Sequence, residues 1–279
     1  MRVYVNGTVY SAEEAAISVL DHGFLYGIGL FETMRVYDRR LFLWDAHYAR
    51  LCTGLLALRI SPVWTSEELA DAVMQTVEAN GLRDAYVRLS VTAGEEGVGL
   101  VANGYERPSL IVFAKPVAPL ADPPRPKRLQ TLELARQTAE GHQRFKSHNF
   151  LNNALAKQEV GDRPDVEGLF LTHDGYVAEG IVSNVFWVKD GRLYTPSLDT
   201  GILGGVTRQH VLELAGRIGL PSEEGKFRLG ALKEADEVFV TNSVQEIVPV
   251  AEIDSLPVSL AYGEHTRQLH RAYRESVWR

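Results

Sequence analysis

The chain alternates between short apolar segments typical of β-strands and longer segments with helical periodicity. Residues 86–92 and 110–114 are rich in β-branched and apolar side chains, so each predicts a buried strand. Thr65 and Glu68 have the spacing of a capping box, and the helical periodicity that follows them stops near Gly81. The first part of the chain is therefore predicted to mix helices and strands.

Two Asp-Gly pairs in the second part, at residues 174–175 and 190–191, are each flanked by apolar segments and predict tight β-hairpins. Apolar residues then recur at helical intervals from Val206 to Gly219, and Pro221 follows, so a helix is predicted there. This part of the chain is therefore predicted to be rich in antiparallel strands.

Five prolines fall between Pro116 and Pro126. Proline lacks a backbone donor and restricts φ, so this density argues against a helix or a central strand. We therefore predict a small α/β domain at residues 1–118, a proline-rich interdomain linker at 119–128 and a larger domain at 129–279.

The composition narrows the range of partners. Of the 279 residues, 45% are hydrophobic, which is enough for a substantial core. The net charge of -7 and the absence of a Lys/Arg run argue against a nucleic acid or an anionic membrane as partner, so an anionic substrate needs local basic residues. No apolar segment has the length of a signal-peptide core or a membrane span, and a cytoplasmic protein is expected.

Cysteine and histidine usage excludes further classes of site. Cys52 is the single cysteine, so no intramolecular disulfide is possible, and its apolar neighbourhood favours a packed core residue over a catalytic thiol. The eight histidines show no metal-ligand spacing, and no metal site is expected. Residues 26–31 resemble a dinucleotide loop only superficially, and Ser183 lacks the context of a hydrolase nucleophile.

Lys146 is the main candidate for covalent chemistry. A lysine acts as a nucleophile when burial or neighbouring cations depress its pKa. Arg144 and His148 are potential cations on either side of it, and a helix of small residues is predicted after it. On this segment alone, a solvated surface lysine is the simpler interpretation, so the hypothesis depends on other segments.

Three later segments complete a set of groups suited to pyridoxal 5′-phosphate (PLP). Glu179 ends a predicted strand, where its carboxylate could keep a pyridine nitrogen protonated, although an exposed strand-end glutamate is the better interpretation in isolation. The glycine-rich residues 200–208 precede a helix whose amino terminus could bind phosphate, or form a plain connection capped by Thr207. Residues 241–243 supply a second segment of phosphate size.

In this order along the chain, the segments resemble the class IV aminotransferase family of fold-type IV PLP enzymes. The resemblance covers essentially the whole chain, with matching segments at residues 21–33, 47–51, 146–157, 178–186, 201–208 and 240–243. It implies an α+β fold of the D-amino-acid aminotransferase type, with a small α/β domain and a larger pseudo-barrel domain. It also implies PLP at the domain interface and a homodimer whose partner helps to close each site.

The resemblance also implies roles for individual residues. Lys146 would form the Schiff base with PLP, and Glu179 would pair with the pyridine nitrogen. Many family members have a tyrosine where Phe150 stands, so its contact with the cofactor phenolate is expected to be absent. The phosphate would be bound by Arg50, the Val206 amide, Thr207 and Ser243, with Asn242 adjacent.

Within the family, the chain looks most like the aminodeoxychorismate lyases of Gram-positive bacteria. Thr33 stands where those lyases have a hydroxyl positioned to protonate the departing enolpyruvyl group, and residues 93–100 lack the Arg-x-His pair of D-amino-acid aminotransferases. The resemblance therefore predicts a PLP-dependent 4-amino-4-deoxychorismate lyase, which releases pyruvate and 4-aminobenzoate in folate biosynthesis.

The alternative is a PLP-dependent aminotransferase that acts on branched-chain or D-amino acids with 2-oxoglutarate. These enzymes share the cofactor residues, so only the substrate pocket discriminates between them. Residues 93–100 also lack the arginine with which known lyases bind a substrate carboxylate, whereas Arg88 stands where branched-chain enzymes place one. We therefore predict Phe31, Tyr86 and Arg88 as substrate-binding residues. A PLP-binding protein without turnover is a third possibility, disfavoured because no element of the set is missing.

Overall fold

The computed structural model describes residues 1–139 and 141–278, which divide into two compact units. The first unit contains Met1–Pro119 and Phe145–Asn149, and the second contains Leu120–Arg144 and Phe150–Arg279. Lys146, predicted to lie in the larger domain, therefore belongs to the first unit. None of the helices in the described residues is both long and apolar enough to span a membrane.

The first unit is built on a six-stranded antiparallel sheet with three helices. The strand order is β2-β1-β6-β5-β3-β4. Its elements are β1 Arg2–Val5, β2 Thr8–Ser11, α1 His22–Tyr26, β3 Gly29–Tyr37, β4 Arg40–Leu41, α2 Trp44–Ala57, α3 Ser66–Ala79, β5 Ala85–Thr92 and β6 Ser109–Pro116. The two strands predicted from the apolar segments are confirmed as β5 and β6.

The core of the first unit lies on one face of this sheet, against helices α2 and α3. Met34 from β3 and Leu89 from β5 are fully buried there with Val73 of α3. The predicted capping box is confirmed, since the Thr65 side chain accepts from the Glu68 amide while the Glu68 carboxylate accepts from the Thr65 amide. Side chains alternate across a strand, so the opposite face of β3 and β5 is available for other roles.

The second unit contains a mixed nine-stranded sheet that curls into the pseudo-barrel of the fold. The main strand order is β12-β11-β10-β13-β14-β7-β8-β9, with β15 paired to β14, and β9 also packs against β10. Its elements are β7 Lys127–Thr131, α4 Leu151–Val160, β8 Val166–Leu171, β9 Val177–Gly180, β10 Asn184–Lys189, β11 Arg192–Pro196, α5 Val206–Arg217, β12 Ser222–Gly225, α6 Leu229–Lys233, β13 Glu237–Asn242, β14 Glu246–Ile253, β15 Leu256–Pro257 and α7 Glu264–Val277. A 3₁₀ turn occupies Leu198–Thr200.

Both predicted hairpins are confirmed, as β8–β9 and β10–β11. Asp190 and Gly191 both have positive φ, 48° and 71°, as a two-residue turn of type I′ requires. The proline-rich segment is less extensive than predicted, because β7 begins at Lys127, one residue after the last of those prolines, and pairs in parallel with β14 and β8.

The amino terminus of helix α7 is anchored by a buried carboxylate from strand β13. Glu237 is 2% exposed and accepts from the amides of His265, at 3.1 Å, and Thr266, at 2.8 Å, and from the Thr266 hydroxyl at 2.6 Å. The N-cap residue Gly263 has no side chain to do this. A carboxylate at a helix amino terminus is favoured by both the free amides and the helix dipole.

We expect Glu237→Ala to lower the free energy of unfolding by about 2 to 3 kcal/mol, because several buried donors lose their charged acceptor. Chemical denaturation followed by circular dichroism measures this loss. Glu264→Ala in the same helix turn is the control. It removes the exposed ion pair with Arg267 and an exposed hydrogen bond from Gln268, and should change stability by less than about 1 kcal/mol. Equal losses in the two variants would contradict the anchoring role.

Candidate active site

Lys146 is held against the first residues of strand β3. The Phe31 amide donates to the Lys146 carbonyl at 2.8 Å, the His148 amide donates to the Gly29 carbonyl at 3.0 Å, and Ser147 forms a bridge with Leu30. Opposed residues of an antiparallel pair project to the same face. The Lys146 Nζ accordingly lies 4.5 Å from the centre of the Phe31 ring.

The three candidate substrate-binding residues and Thr33 share that face of the sheet. Strand register pairs Thr33 with Arg88, and the residues on either side alternate so that Phe31 and Tyr86 project in the same direction. These side chains lie opposite the packed core. The structure thus brings together, on one face, the predicted nucleophile Lys146, the predicted proton donor Thr33 and the predicted substrate-binding residues.

Arg88 is half-buried on this face and is held by neutral groups. Its guanidinium carbon lies 3.6 Å from the Phe31 ring centre, and its Nε donates to the Ser90 hydroxyl at 3.2 Å. Within residues 1–139 and 141–278, no carboxylate forms an ion pair with Arg88. Burial lowers the pKa of Arg88, as expected for a partly desolvated cation without a counter-charge. Arg88 is therefore suited to receive an anionic group.

His148 is not the cation that the sequence suggested. Burial, followed by the charge of Arg88, lowers the pKa of His148 to about 4, so the imidazole is neutral near pH 7. Its ring occupies the space left by Gly29, where a Cβ atom would lie 2.8 Å from the His148 Nδ1. Among the described residues the buried His148 Nε2 has no hydrogen-bond partner, so a neutral polar atom lies on the same face as Lys146.

Arg50, predicted to bind phosphate, belongs to a buried cluster at helix α2. Its Nε donates to Glu32 Oε1 at 2.8 Å and its Nη2 to Glu32 Oε2 at 2.5 Å, while the His47 Nδ1 lies 2.7 Å from Glu32 Oε2. Burial alone would raise the pKa of Glu32, but the charge and hydrogen bonds of Arg50 and His47 outweigh it and lower that pKa to about 2. Glu32 therefore fixes the direction of the Arg50 guanidinium.

In the second unit, Glu179 is buried, which contradicts the interpretation as an exposed strand-end residue. It is 4% exposed. Its Oε1 accepts from the Arg136 Nε at 2.8 Å, and its Oε2 accepts from the Leu203 amide at 3.0 Å and from the Asn184 Nδ2 at 3.3 Å. Arg136 could not be found from the sequence, because no spacing pattern links it to Glu179, 43 residues away. The carboxylate is thus fixed in a polar network inside the protein.

The other cation suggested for Lys146, Arg144, takes part in this second network. Its Nε donates to the Gly201 carbonyl at 2.5 Å and lies 3.9 Å from Glu179 Oε1, and its Nη2 donates to the Gln137 carbonyl. Arg144 therefore joins residues near 137 to the glycine-rich segment and adds a second guanidinium beside Glu179.

The glycine-rich segment leads directly into helix α5, and its N-cap is Gly205 without any side-chain cap. The alternative in which Thr207 caps the helix is therefore wrong. A Cβ at Gly205 would lie 2.1 Å from the Asn184 Oδ1, so a larger residue cannot stand there without displacing that side chain. The Thr207 and Ser243 hydroxyls lie 3.3 Å apart.

Asn242, adjacent to Ser243, shapes the turn that follows strand β13. Its Oδ1 accepts from the amides of Val244, at 3.0 Å, and Gln245, at 2.8 Å. The side chain is thus used within the turn, and the hydroxyl of Ser243 is presented beside Thr207. With the uncapped amides of α5, these hydroxyls form a donor set without a carboxylate, which fits a phosphate group.

Comparisons with known proteins identify the family of the chain. Residues 29–253 match the family model described as amino-transferase class IV. The chain is 44% identical to aminodeoxychorismate lyase of Bacillus subtilis (99% of this chain, 94% of that protein) and 37% identical to a putative branched-chain-amino-acid aminotransferase of Methanocaldococcus jannaschii (99% and 96%). Among solved structures, it is similar to the T.th. branched-chain amino acid aminotransferase complexed with N-(5′-phosphopyridoxyl)-L-glutamate.

That similarity has a TM-score of 0.87 and 31% sequence identity, over 99% of this chain and 93% of the other. The predicted fold class, two-domain α+β of fold type IV, is confirmed. The predicted cofactor is confirmed with it. The chain therefore belongs to the class IV aminotransferase family, and its cofactor is pyridoxal phosphate.

Proposed function

We propose that the protein is a 4-amino-4-deoxychorismate lyase, which releases pyruvate and 4-aminobenzoate for folate biosynthesis. The observation that carries this proposal is the 44% identity to the Bacillus subtilis aminodeoxychorismate lyase over 99% of the chain. The position of Thr33 supports it, because its hydroxyl shares the sheet face of Lys146 and is directly opposite Arg88 in the strand register.

The cofactor would be held by the residues that the family resemblance identifies. Lys146 would attach it covalently, Glu179 would pair with its pyridine nitrogen, and Thr207 with Ser243 would bind its phosphate. Val206, through its amide, and Arg50 would complete the phosphate contacts, with Asn242 shaping the adjacent turn. When bound, PLP supplies an electron sink for negative charge at the substrate carbon that bears the amino group.

The protein side chains would then handle the protons. The Lys146 amine would remove the proton from the substrate carbon that bears the amino group. As the bond between the ring carbon and the enolpyruvyl oxygen breaks, Thr33 or protonated Lys146 would give a proton to the departing group. That group leaves as pyruvate. Because the ring has already lost the proton of its amino-bearing carbon, cleavage of the carbon–oxygen bond completes the aromatic ring of 4-aminobenzoate. Arg88, with Phe31 and Tyr86 beside it, would bind a substrate carboxylate.

The second candidate function is transamination of branched-chain or D-amino acids with 2-oxoglutarate. Arg88 favours it, because a half-buried guanidinium without an ion pair in the described part of the chain suits the carboxylate of any amino-acid substrate. The two reactions share proton removal and differ in where the proton is returned, so the geometry of the pocket decides between them.

We also propose that the enzyme acts as a homodimer in the cytoplasm. Val98 and Leu100, in the loop that follows β5, are 84% and 78% exposed, which suits a surface covered by a second copy. Analytical ultracentrifugation of the purified protein tests the dimer, and a monomer at micromolar concentration would contradict it.

Product analysis tests the proposed function. The protein is incubated with enzymatically generated aminodeoxychorismate and, separately, with L- and D-amino acids plus 2-oxoglutarate. We expect 4-aminobenzoate and pyruvate in equal amounts, without glutamate. Glutamate formation from a branched-chain or D-amino acid, with no 4-aminobenzoate, would replace the lyase by the aminotransferase.

If Thr33 is the proton donor, Thr33→Val should lower lyase kcat by about 10²-fold, within the usual range for general acid catalysis. Valine has nearly the same shape, so the fold and cofactor binding should persist. Thr33→Ser, which keeps the hydroxyl, is the matched control and should retain most of the activity. A Thr33→Val protein with the normal lyase rate would assign the proton to Lys146 instead.

A further inference from the structure

We propose that Arg136 is a positioning residue that sets the orientation of the Glu179 carboxylate and its electrostatic hold on the cofactor. The proposal rests on the assignment of Glu179 to the pyridine nitrogen in the proposed function. Arg136 lies outside every motif that led to the family, and its role follows from contacts of the second unit alone.

The contacts of Arg136 fix it rigidly. It is 7% exposed, and its Nε donates to Glu179 Oε1 at 2.8 Å. Its Nη1 donates to the side-chain oxygens of Asn152, at 2.8 Å, and Asn153, at 3.3 Å, both in the first turn of α4. Its guanidinium carbon lies 5.1 Å from the ring centre of Phe170. Arg136 therefore has little freedom to follow a movement of the carboxylate.

The two asparagines are themselves tied to the backbone. The Asn152 Nδ2 donates to the Ala135 carbonyl at 3.2 Å, and the Asn153 Nδ2 donates to the Ile181 carbonyl at 2.5 Å. Ala135 precedes Arg136 in the chain, and Ile181 follows strand β9, which carries Glu179. The helix thus orients the arginine relative to the strand that presents the carboxylate.

The charges in this network have a chemical consequence. A guanidinium beside a carboxylate weakens the attraction of that carboxylate for a second positive group, because the two cations repel each other. Arg144, 3.9 Å from the same carboxylate oxygen, acts in the same direction. Arg136 would therefore hold the carboxylate oxygens of Glu179 in place. It would also limit how strongly Glu179 favours the protonated pyridine nitrogen of the cofactor.

A buried ion pair with a purely structural role would stabilise the fold without changing the cofactor. The structural role and the positioning role of Arg136 predict different results in one measurement. This measurement is the pH midpoint of the cofactor absorbance change in the PLP-loaded protein. This readout needs no substrate, so it remains valid if product analysis rejects the lyase. A protein that binds no PLP would reject the cofactor assignment and this proposal together.

The variants are Arg136→Met, Arg136→Gln and Arg136→Lys, with Arg128→Met as a control at an exposed ion pair. Removal of the charge should raise the midpoint by about one pH unit in the Met and Gln proteins, whereas Lys should keep it near the wild-type value. Arg128→Met should leave it unchanged. If the Met protein does not fold, the Gln and Lys proteins still give the comparison.

A second comparison tests whether Arg136 acts through Glu179. The midpoint shifts of Arg136→Gln and Glu179→Gln should be non-additive in the double variant, as expected for groups in one network. Strict additivity would overturn the proposal. So would neutral Arg136 variants that lose thermal stability while the cofactor midpoint stays at the wild-type value, since that result assigns Arg136 a structural role only.

Discussion

A Lys146→Ala protein is expected to lose at least about 10³-fold of its turnover, because in the proposed function one amine would serve as the attachment point of the cofactor and as the base for the substrate proton. The bridge between Ser147 and Leu30 and the backbone bonds to strand β3 involve main-chain atoms only, so alanine should leave them in place. Activity should therefore fall without unfolding. Steady-state kinetics and circular dichroism measure the two quantities on the same preparation.

Lys157→Ala provides the matched control for this experiment. Lys157 is exposed on helix α4. Within the described residues, the one hydrogen bond of its ammonium group is to the Gly161 carbonyl. Its replacement should leave turnover within about twofold of wild type, as for most surface substitutions. Borohydride reduction of the loaded protein, followed by peptide mass spectrometry, should find the cofactor on Lys146. Full turnover in Lys146→Ala would remove the entire catalytic scheme.

Local patterns were sufficient to predict the elements that carry the site, but not their long-range pairing. Strand β5, the two Asp-Gly hairpins and helix α3 follow from periodicity and turn chemistry, which depend on neighbouring residues. The placement of Lys146 beside Phe31 depends on backbone bonds between distant segments. Such pairing leaves no periodic signal, so the sequence assigned Lys146 to the larger domain, whereas it belongs to the first compact unit.

Buried charges were the other features that the sequence could not interpret. Glu32 interrupts the apolar alternation between Leu30 and Met34, which was a signal of a buried polar cluster, but its partners lie on another element. Arg136 gave no signal at all, because it lies in the irregular segment between β7 and α4 while its partner Glu179 lies on strand β9. The family resemblance identified residues that would contact the cofactor. It did not identify Glu32 and Arg136, which form ion pairs with two of those residues, Arg50 and Glu179.

Glu32→Gln is expected to lower the free energy of unfolding by about 3 to 5 kcal/mol at pH 7, because it leaves Arg50 without its buried counter-charge. Glutamine keeps the size of the side chain, so the loss reports the charge. Urea denaturation measures it. Glu78→Gln, at an exposed position of helix α3, is the control and should change stability by less than about 0.5 kcal/mol.

The pH dependence of stability gives an independent test of the same cluster. The pKa of Glu32 is about 2 in the folded protein, below its ordinary value of 4.5. A lowered folded-state pKa means that Glu32 contributes its stability above pH 4.5 and loses it as the pH falls toward 2. As the pH falls from 4.5 to about 2, the free energy of unfolding of the wild-type protein should decrease by about 3 kcal/mol more than that of Glu32→Gln. Parallel curves for the two proteins would show that Glu32 is not held as a buried anion, and Arg50 would then lack the fixed direction on which its proposed phosphate contact depends.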